Sequence, residues 1–464
     1  MPALVRSLGA SPLAVSWLLT AYLVAASVAT PLIGRLGDVL GRGRMLTWVM
    51  LVFCAGSVIC ALGDSLAVLV AGRVLQGVAG GVFPLAYGII RDTFPAATRM
   101  RAIGSLSVSL GVGAALGPAV AGIIVDHAGP SAIFWAGMLG AVPALGAGRL
   151  LPELAGRSRT AIDWSGAAVL AAALAALLIL LTQGQQLGWT SSTALALLAA
   201  AAGLSGWWVT IESRRLAPLV DLRMLRGPTV ALTNVAALCV GCGIFMAYVP
   251  LAPIAQAPTS TGYGFGMSVA AAGALLIPHG AVQIVSGSWA GSLCGRVGSR
   301  ATLLGGAGIN TATIALIAAV HNSPASLLVA GAVLGLGQAL ALTAMANLVV
   351  AAVPGHDVGI ATGINMVMRT IGMALGSALS AAILAGSTGS VFPSEHAYVV
   401  AFAVAACVTA GAVACALALP RLPRPDRGEP GVQAATRFRS GRTSRPIRSV
   451  LRSSRSMPTP RVPT

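Results

Sequence analysis

The stretch Gly34-Arg35-Leu36-Gly37-Asp38-Val39-Leu40-Gly41-Arg42-Gly43-Arg44 decides the reading of this chain. It places four Gly, one Asp and three Arg in eleven positions, although only 9% of the 464 residues are charged. Long apolar runs flank it on both sides. A tight, charged, glycine-rich turn between two such runs reads as a short loop at a membrane face.

Composition supports that setting. The chain is 56% hydrophobic, with a mean hydropathy of +0.86. A soluble protein of this size carries roughly a quarter charged residues. Apolar stretches of ~20 residues recur, the length that spans ~30 Å of hydrocarbon. They are rich in Ala, Leu and Gly, as packed membrane helices are. Alternating polar and apolar barrel strands are absent. The expected class is therefore an all-α polytopic membrane protein with about thirteen spans between residues 15 and 419.

The formal charge of +17 is carried entirely by Arg, since all 29 basic residues are Arg. Eleven of them lie between Arg421 and Arg461. Most others cluster in alternate loops, at 35–44, 91–101, 149–159, 214–226 and 296–300. The intervening loops carry Asp64, Asp126, His127, His321, Glu395 and His396, and no Arg. This asymmetry places the Arg-bearing loops and the C-terminus in the cytoplasm. An odd number of spans then puts Met1 outside. The tail from 420 is rich in Arg, Pro and Ser and reads as disordered, either simply solvated or touching anionic lipid. No nucleic-acid partner is expected. Cys239-x-x-Cys242 has redox spacing, but no second pair or His accompanies it, so these read as small apolar helix residues. No metal or cofactor is expected. No nucleophile–base set appears, and the chain is not expected to be an enzyme.

Four motifs carry more. In the opening stretch, Gly34, Gly41 and their neighbours permit a tight turn and close helix approach. Asp38 can pair with Arg42 or Arg44 and meet a helix N-terminus. In Leu69-x-x-x-Arg73-x-x-Gln76-Gly77-x-x-Gly80-Gly81, Arg73 lies inside a span, and Gln76 lies one turn along on the same face. Such an Arg is either a functional-site group or a structural one satisfied by carbonyls. Gly113-x-x-x-Gly117-Pro118-x-x-Ala121-Gly122 combines a close-packing glycine face with a helix-bending Pro. Arg369, in Asn365-x-x-x-Arg369-x-x-Gly372, is a second intramembrane Arg. Helix packing near the cytoplasmic end and a transport role account for it equally.

Together these motifs resemble the major facilitator superfamily. The opening stretch resembles its cytoplasmic signature between the second and third helices, and the Gly117-Pro118 motif resembles its antiporter signature. Glu212-x-x-Arg215-x-x-Pro218-Leu219-x-Asp221 resembles the loop after the two extra helices of the fourteen-helix drug:proton antiporter branch. Gly291-x-x-x-Gly295-Arg296-x-Gly298-x-Arg300 looks like a degenerate repeat of the opening loop, as duplicated halves would give. The resemblance implies an N-terminal bundle at 1–150 that lacks the family's first helix, with its acidic residue. It further implies two inserted helices and a loop at 151–226, a C-terminal bundle at 227–419 and a tail at 420–464. It implies proton-coupled efflux of hydrophobic or cationic compounds by a monomer through alternating access, with Arg73 and Gln76 in proton coupling. Asp38 with Arg42 and Arg44 would latch the halves. Tyr87, Asn234, Phe245, Met246, Tyr248, Gln283 and Asn347 are candidates to line a substrate cavity. A metabolite carrier of the same fold and a truncated, non-transporting membrane protein are the alternatives.

Overall fold

Backbone N–H and C=O groups have no water to bond inside lipid, so each apolar run closes its own hydrogen bonds as a helix. In the computed structural model, residues 12–150, 163–215, 220, 222–321, 323–386 and 393–420 are described. All lie in one contact unit, Met1–Arg421. The first helices are α1 (Pro12–Leu40), α2 (Arg42–Leu62), α3 (Leu66–Gly77), a 3-10 turn at Val78–Gly81, α4 (Val82–Thr93), α5 (Ala96–Ala128) and α6 (Ala132–Leu150). A hairpin of α7 (Trp164–Leu187) and α8 (Ser192–Arg214) follows, then the short α9 (Leu222–Arg226). The remaining helices are α10 (Pro228–Tyr248), α11 (Leu251–Gln256), α12 (Val269–Ala274), α13 (Ile277–Val297), α14 (Ser299–Ala319), α15 (Pro324–Ala352), α16 (Val358–Ala385) and α17 (Glu395–Ala418).

Among the described residues, ten helices are long and apolar enough to cross a membrane, and Ala132–Gly146 and Ala271–Gly287 are shorter apolar helices. The 33-residue α5 adds a further membrane-length element. Every apolar run expected from sequence is thus helical, while a full set of fourteen spans is not seen in the described residues. Ser65, Asp163, Ser191, Ser268, Ser323 and Ser394 cap helix N-termini through their side chains.

Two one-residue links share an unusual backbone. Gly41 joins α1 to α2 with φ 102 and ψ 128, and Gly298 joins α13 to α14 with φ 96 and ψ 148. Only glycine adopts this region without strain. The degenerate repeat read from sequence is therefore a repeat of conformation as well.

The α7–α8 hairpin sits against α1 and α16 through α7. Gln183 on α7 donates to Thr20 Oγ1 at 2.8 Å. At the other end, Asp163 accepts from Gly166 N–H at 3.0 Å and lies 3.4 Å from Arg215. Glu212 is buried and accepts from Val220 N–H. This explains why Glu212 and Arg215 are spaced as they are. Residues 216–219 and 221 of that motif, the loop at 151–162 and the tail from 421 lie outside the described residues.

Candidate functional site

Because the helices alternate in direction, α1, α4, α13, α15 and α17 end, and α2, α5, α14 and α16 begin, at one end of the molecule. Arg35, Arg42 and Arg91 gather there. Arg42 Nη2 lies 2.6 Å from Asp38 Oδ1, and Arg42 also pairs with Asp92 and donates to Gly88 O at 3.1 Å. Asp38 is 3% exposed, so its charge rests on this pairing. Its carboxylate sits over the first turn of α16, beside the Ile360 amide, where the helix N-terminus favours an anion.

Three Arg of the first helices reach across to the second set. Arg35 lies 3.4 Å from Asp357, Arg42 donates to Gly355 O at 2.8 Å, and Arg91 donates to Val350 O and Val353 O at 2.8 and 2.7 Å. Arg91 thereby caps the C-terminal carbonyls of α15. The backbones touch as well. An added Cβ on Gly34 would collide with the Gly359 carbonyl, and one on Gly104 with that of Gly287. Below these contacts an apolar cluster joins Tyr87 and Ile103 to Val349, Val350, Val353, Val358 and Ala361. The Arg-rich end is closed by charge, by backbone contact and by an apolar plug.

Next to the plug lies a cavity lined by Tyr87, Leu342, Met345, Ala346, Val349, Thr362, Asn365, Met366 and Arg369. It is formed by α4 on one side and by α15 and α16 on the other. Tyr87 OH is 2.9 Å from Ser107 Oγ, which itself bonds Ile103 O, so the phenol donates to the serine. Asn365 donates to Asn234 Oδ1 at 2.9 Å.

The sequence model of the Major Facilitator Superfamily matches residues 1–271 and 233–459. The chain belongs to the major facilitator superfamily. It is a multi-pass integral membrane transporter of small molecules, not an enzyme. It is 29% identical over 389 residues to the multidrug resistance protein Stp of Mycobacterium tuberculosis, covering 83% of this chain and 71% of that protein. It is 30% identical to a probable actinorhodin transporter of Streptomyces coelicolor, over 84% of this chain and 69% of the relative. The human organic anion transporter MFSD10 superposes with a TM-score of 0.63 at 16% identity, over 86% of this chain and 83% of that one. At that identity the likeness is one of fold.

Within this major facilitator chain, Arg73 and Gln76 are brought together. Arg73 Nη1 donates to Gln76 Oε1 at 2.9 Å and Nε to Leu18 O at 3.2 Å, with the guanidinium 4.6 Å from the Tyr22 ring centre. Gln76 in turn donates to Ser57 at 2.8 Å. Arg44 is exposed. Arg369 lies at mid-helix on the cavity wall and packs against Gly241.

Of the residues expected to line a cavity, Tyr87 lines this one. Asn234 stands behind Asn365. Met246, Gln283 and Asn347 are buried elsewhere, and Asn347 bonds Thr343 O within its own helix. Phe245 and Tyr248 pair with ring centres 6.0 Å apart. An added Cβ at Gly113 or Gly117 meets nothing within 4 Å, so the close packing expected there is not seen among the described residues. Pro118 and Gly122 share that helix, but their surroundings lie outside the description.

Sequence reasoning missed His279. It is 6% exposed, 2.7 Å from Tyr248 OH, with Gln283 and Gln338 also bonded to it. The available signal was a lone His opening an apolar helix at Ile277-Pro278-His279. Arg91 and Asp357 were likewise unread as gate residues.

Proposed function

We propose that the protein exports hydrophobic small molecules from a bacterial cell by alternating access, coupled to inward proton movement. The Arg-rich end and the C-terminus would face the cytoplasm, by the distribution of Arg among loops. The observation that carries the reading is the cavity between the two sets of helices, beside a plug that seals one end. A site flanked by a sealed end is what an alternating-access carrier requires. The relatives named as multidrug resistance and actinorhodin transport proteins support drug-like cargo. The Arg73–Gln76 pair is the coupling candidate, because an Arg inside a span is costly and persists where it has a task.

The test is transport in proteoliposomes loaded with a fluorescent lipophilic dye, with a pH gradient imposed or collapsed. Dye movement that tracks the gradient supports proton-coupled export. Movement indifferent to the gradient removes the coupling, and no movement removes export. Net uptake down a substrate gradient would favour the metabolite-carrier alternative.

A further inference from the structure

Arg369 is unlike the other described arginines whose contacts define the gate and the bundles. Arg35, Arg42, Arg73, Arg91 and Arg300 each reach a carboxylate, an amide or a backbone carbonyl. Arg369 makes no hydrogen bond or ion pair to another described residue; its nearest electrostatic neighbour is Tyr87. It stands about three turns into α16 (Val358–Ala385), and at ~1.5 Å per residue that is roughly half of a ~30 Å hydrocarbon core. Room for it is made by Gly241, where an added Cβ would press within 3.2 Å of Arg369 Cγ.

Among the described residues no acidic side chain answers this charge. None of the cavity-lining residues is Asp or Glu. The described acidic side chains Asp38, Asp64, Asp92, Asp163, Glu212, Asp357 and Glu395 all sit at helix ends or in loops. The Tyr87 phenol spends its proton on Ser107, which leaves its oxygen as an acceptor only. Around the guanidinium the walls mix neutral polar groups, Tyr87, Thr362 and Asn365, with the apolar Met345, Met366, Leu342 and Val349. An unpaired cation in low dielectric is unfavourable. A carboxylate or phenolate on the cargo would relieve it through a charge-assisted pair.

We infer that cargo entering this cavity, which in the closed form holds little more than a water, is an organic anion whose carboxylate or phenolate pairs with Arg369. This deepens the export reading and rests on it. It also replaces the cationic cargo expected from resemblance, since a cation would meet Arg369 head on.

The experiment measures binding of two xanthene dyes to the purified full-length protein in detergent: carboxyfluorescein, an anion, and rhodamine 6G, a cation of similar body. The wild type is expected to bind the anion at least ten-fold more tightly. Arg369→Gln should weaken the anion at least ten-fold and leave the cation unchanged or tighter, and Arg369→Lys should keep part of the preference. If Arg369→Gln does not fold, the wild-type preference and the Arg369→Lys variant decide. Equal binding of the two dyes, preference for the cation, or no binding of the anion overturns the inference. Export is read separately in liposomes. Anion-selective binding without transport defeats the export reading alone. Charge-blind export that survives Arg369→Gln defeats the anion inference alone.

Discussion

At the residue scale, the informative side chains are those whose charge has been taken into the protein. Arg73 depends on Gln76, and Gln76 on Ser57. Gln76→Ala removes one acceptor from the guanidinium and one donor from Ser57. We predict a loss of about 1 kcal/mol, the scale of polar contacts inside membrane proteins, seen as a fall of a few degrees in the thermal unfolding midpoint in detergent. No change would mean that the Leu18 carbonyl and Tyr22 ring hold Arg73 unaided. Asp163, outside the spans, gives a pH signature. Burial pushes its carboxyl up, but hydrogen bonds from Ser165 and Gly166 and the nearby Arg215 outweigh burial and hold it below its ordinary value of 3.8. A depressed value means that the unfolded chain binds the proton more readily. The stabilisation is therefore complete above the ordinary value and is lost as pH falls through the lower folded one. Asp163→Asn keeps the helix cap and drops the charge. It should be less stable than wild type at pH 7, with the gap narrowing as pH falls below 3.8, in parallel unfolding measurements.

At the element scale, two close crossings recur in the same form. α1 meets α16 at Gly34 and Gly359, and α5 meets α13 at Gly104, Gly287 and Gly291. Each requires that a backbone carbonyl lie where a side chain would be. Gly359→Ala should therefore hold the Arg-rich end apart. With Val349→Cys in a background free of native Cys, thiol labelling from that side should rise several-fold; unchanged labelling would show that the crossing tolerates a methyl group. Gly113→Ala is the matched control, because its Cβ would enter open space. Much at this scale was legible in sequence. Helix positions followed from apolar length, and Arg73 with Gln76 followed from i, i+3 spacing. Gly41 and Gly298 were legible as a repeat because a positive φ restricts the residue type. What was not legible depends on pairing between distant segments. Arg35 and Asp357 are 322 residues apart in sequence, and Arg91 and Val350 are 259. No local period reports such a meeting. The cavity suffered the same limit, since polar type alone did not separate Asn365, on its wall, from Asn347, turned back on its own helix.

At the scale of the whole molecule, the closed end is held by several independent contacts, so the transition that opens it must break them together. Met100→Cys with Gly295→Cys reports that closure, because an added Cβ at Gly295 lies 3.7 Å from Met100 Sδ. The pair should cross-link with a short bifunctional thiol reagent in the parent background. Adding Arg91→Ala, which uncaps α15 and removes one cross-contact, should lower the yield at least two-fold; an unchanged yield would mean that Arg91 only finishes a helix. The acceptors of these contacts carry a last consequence. Of the four cross-contacts described at the gate, those from Arg42 to Gly355 and from Arg91 to Val350 and Val353 end on main-chain oxygens. Substitution cannot delete a main-chain oxygen. Mutational tolerance of the closure should therefore be lopsided: single changes at Arg42 or Arg91 weaken it, while most changes at 350–355 leave a partner in place.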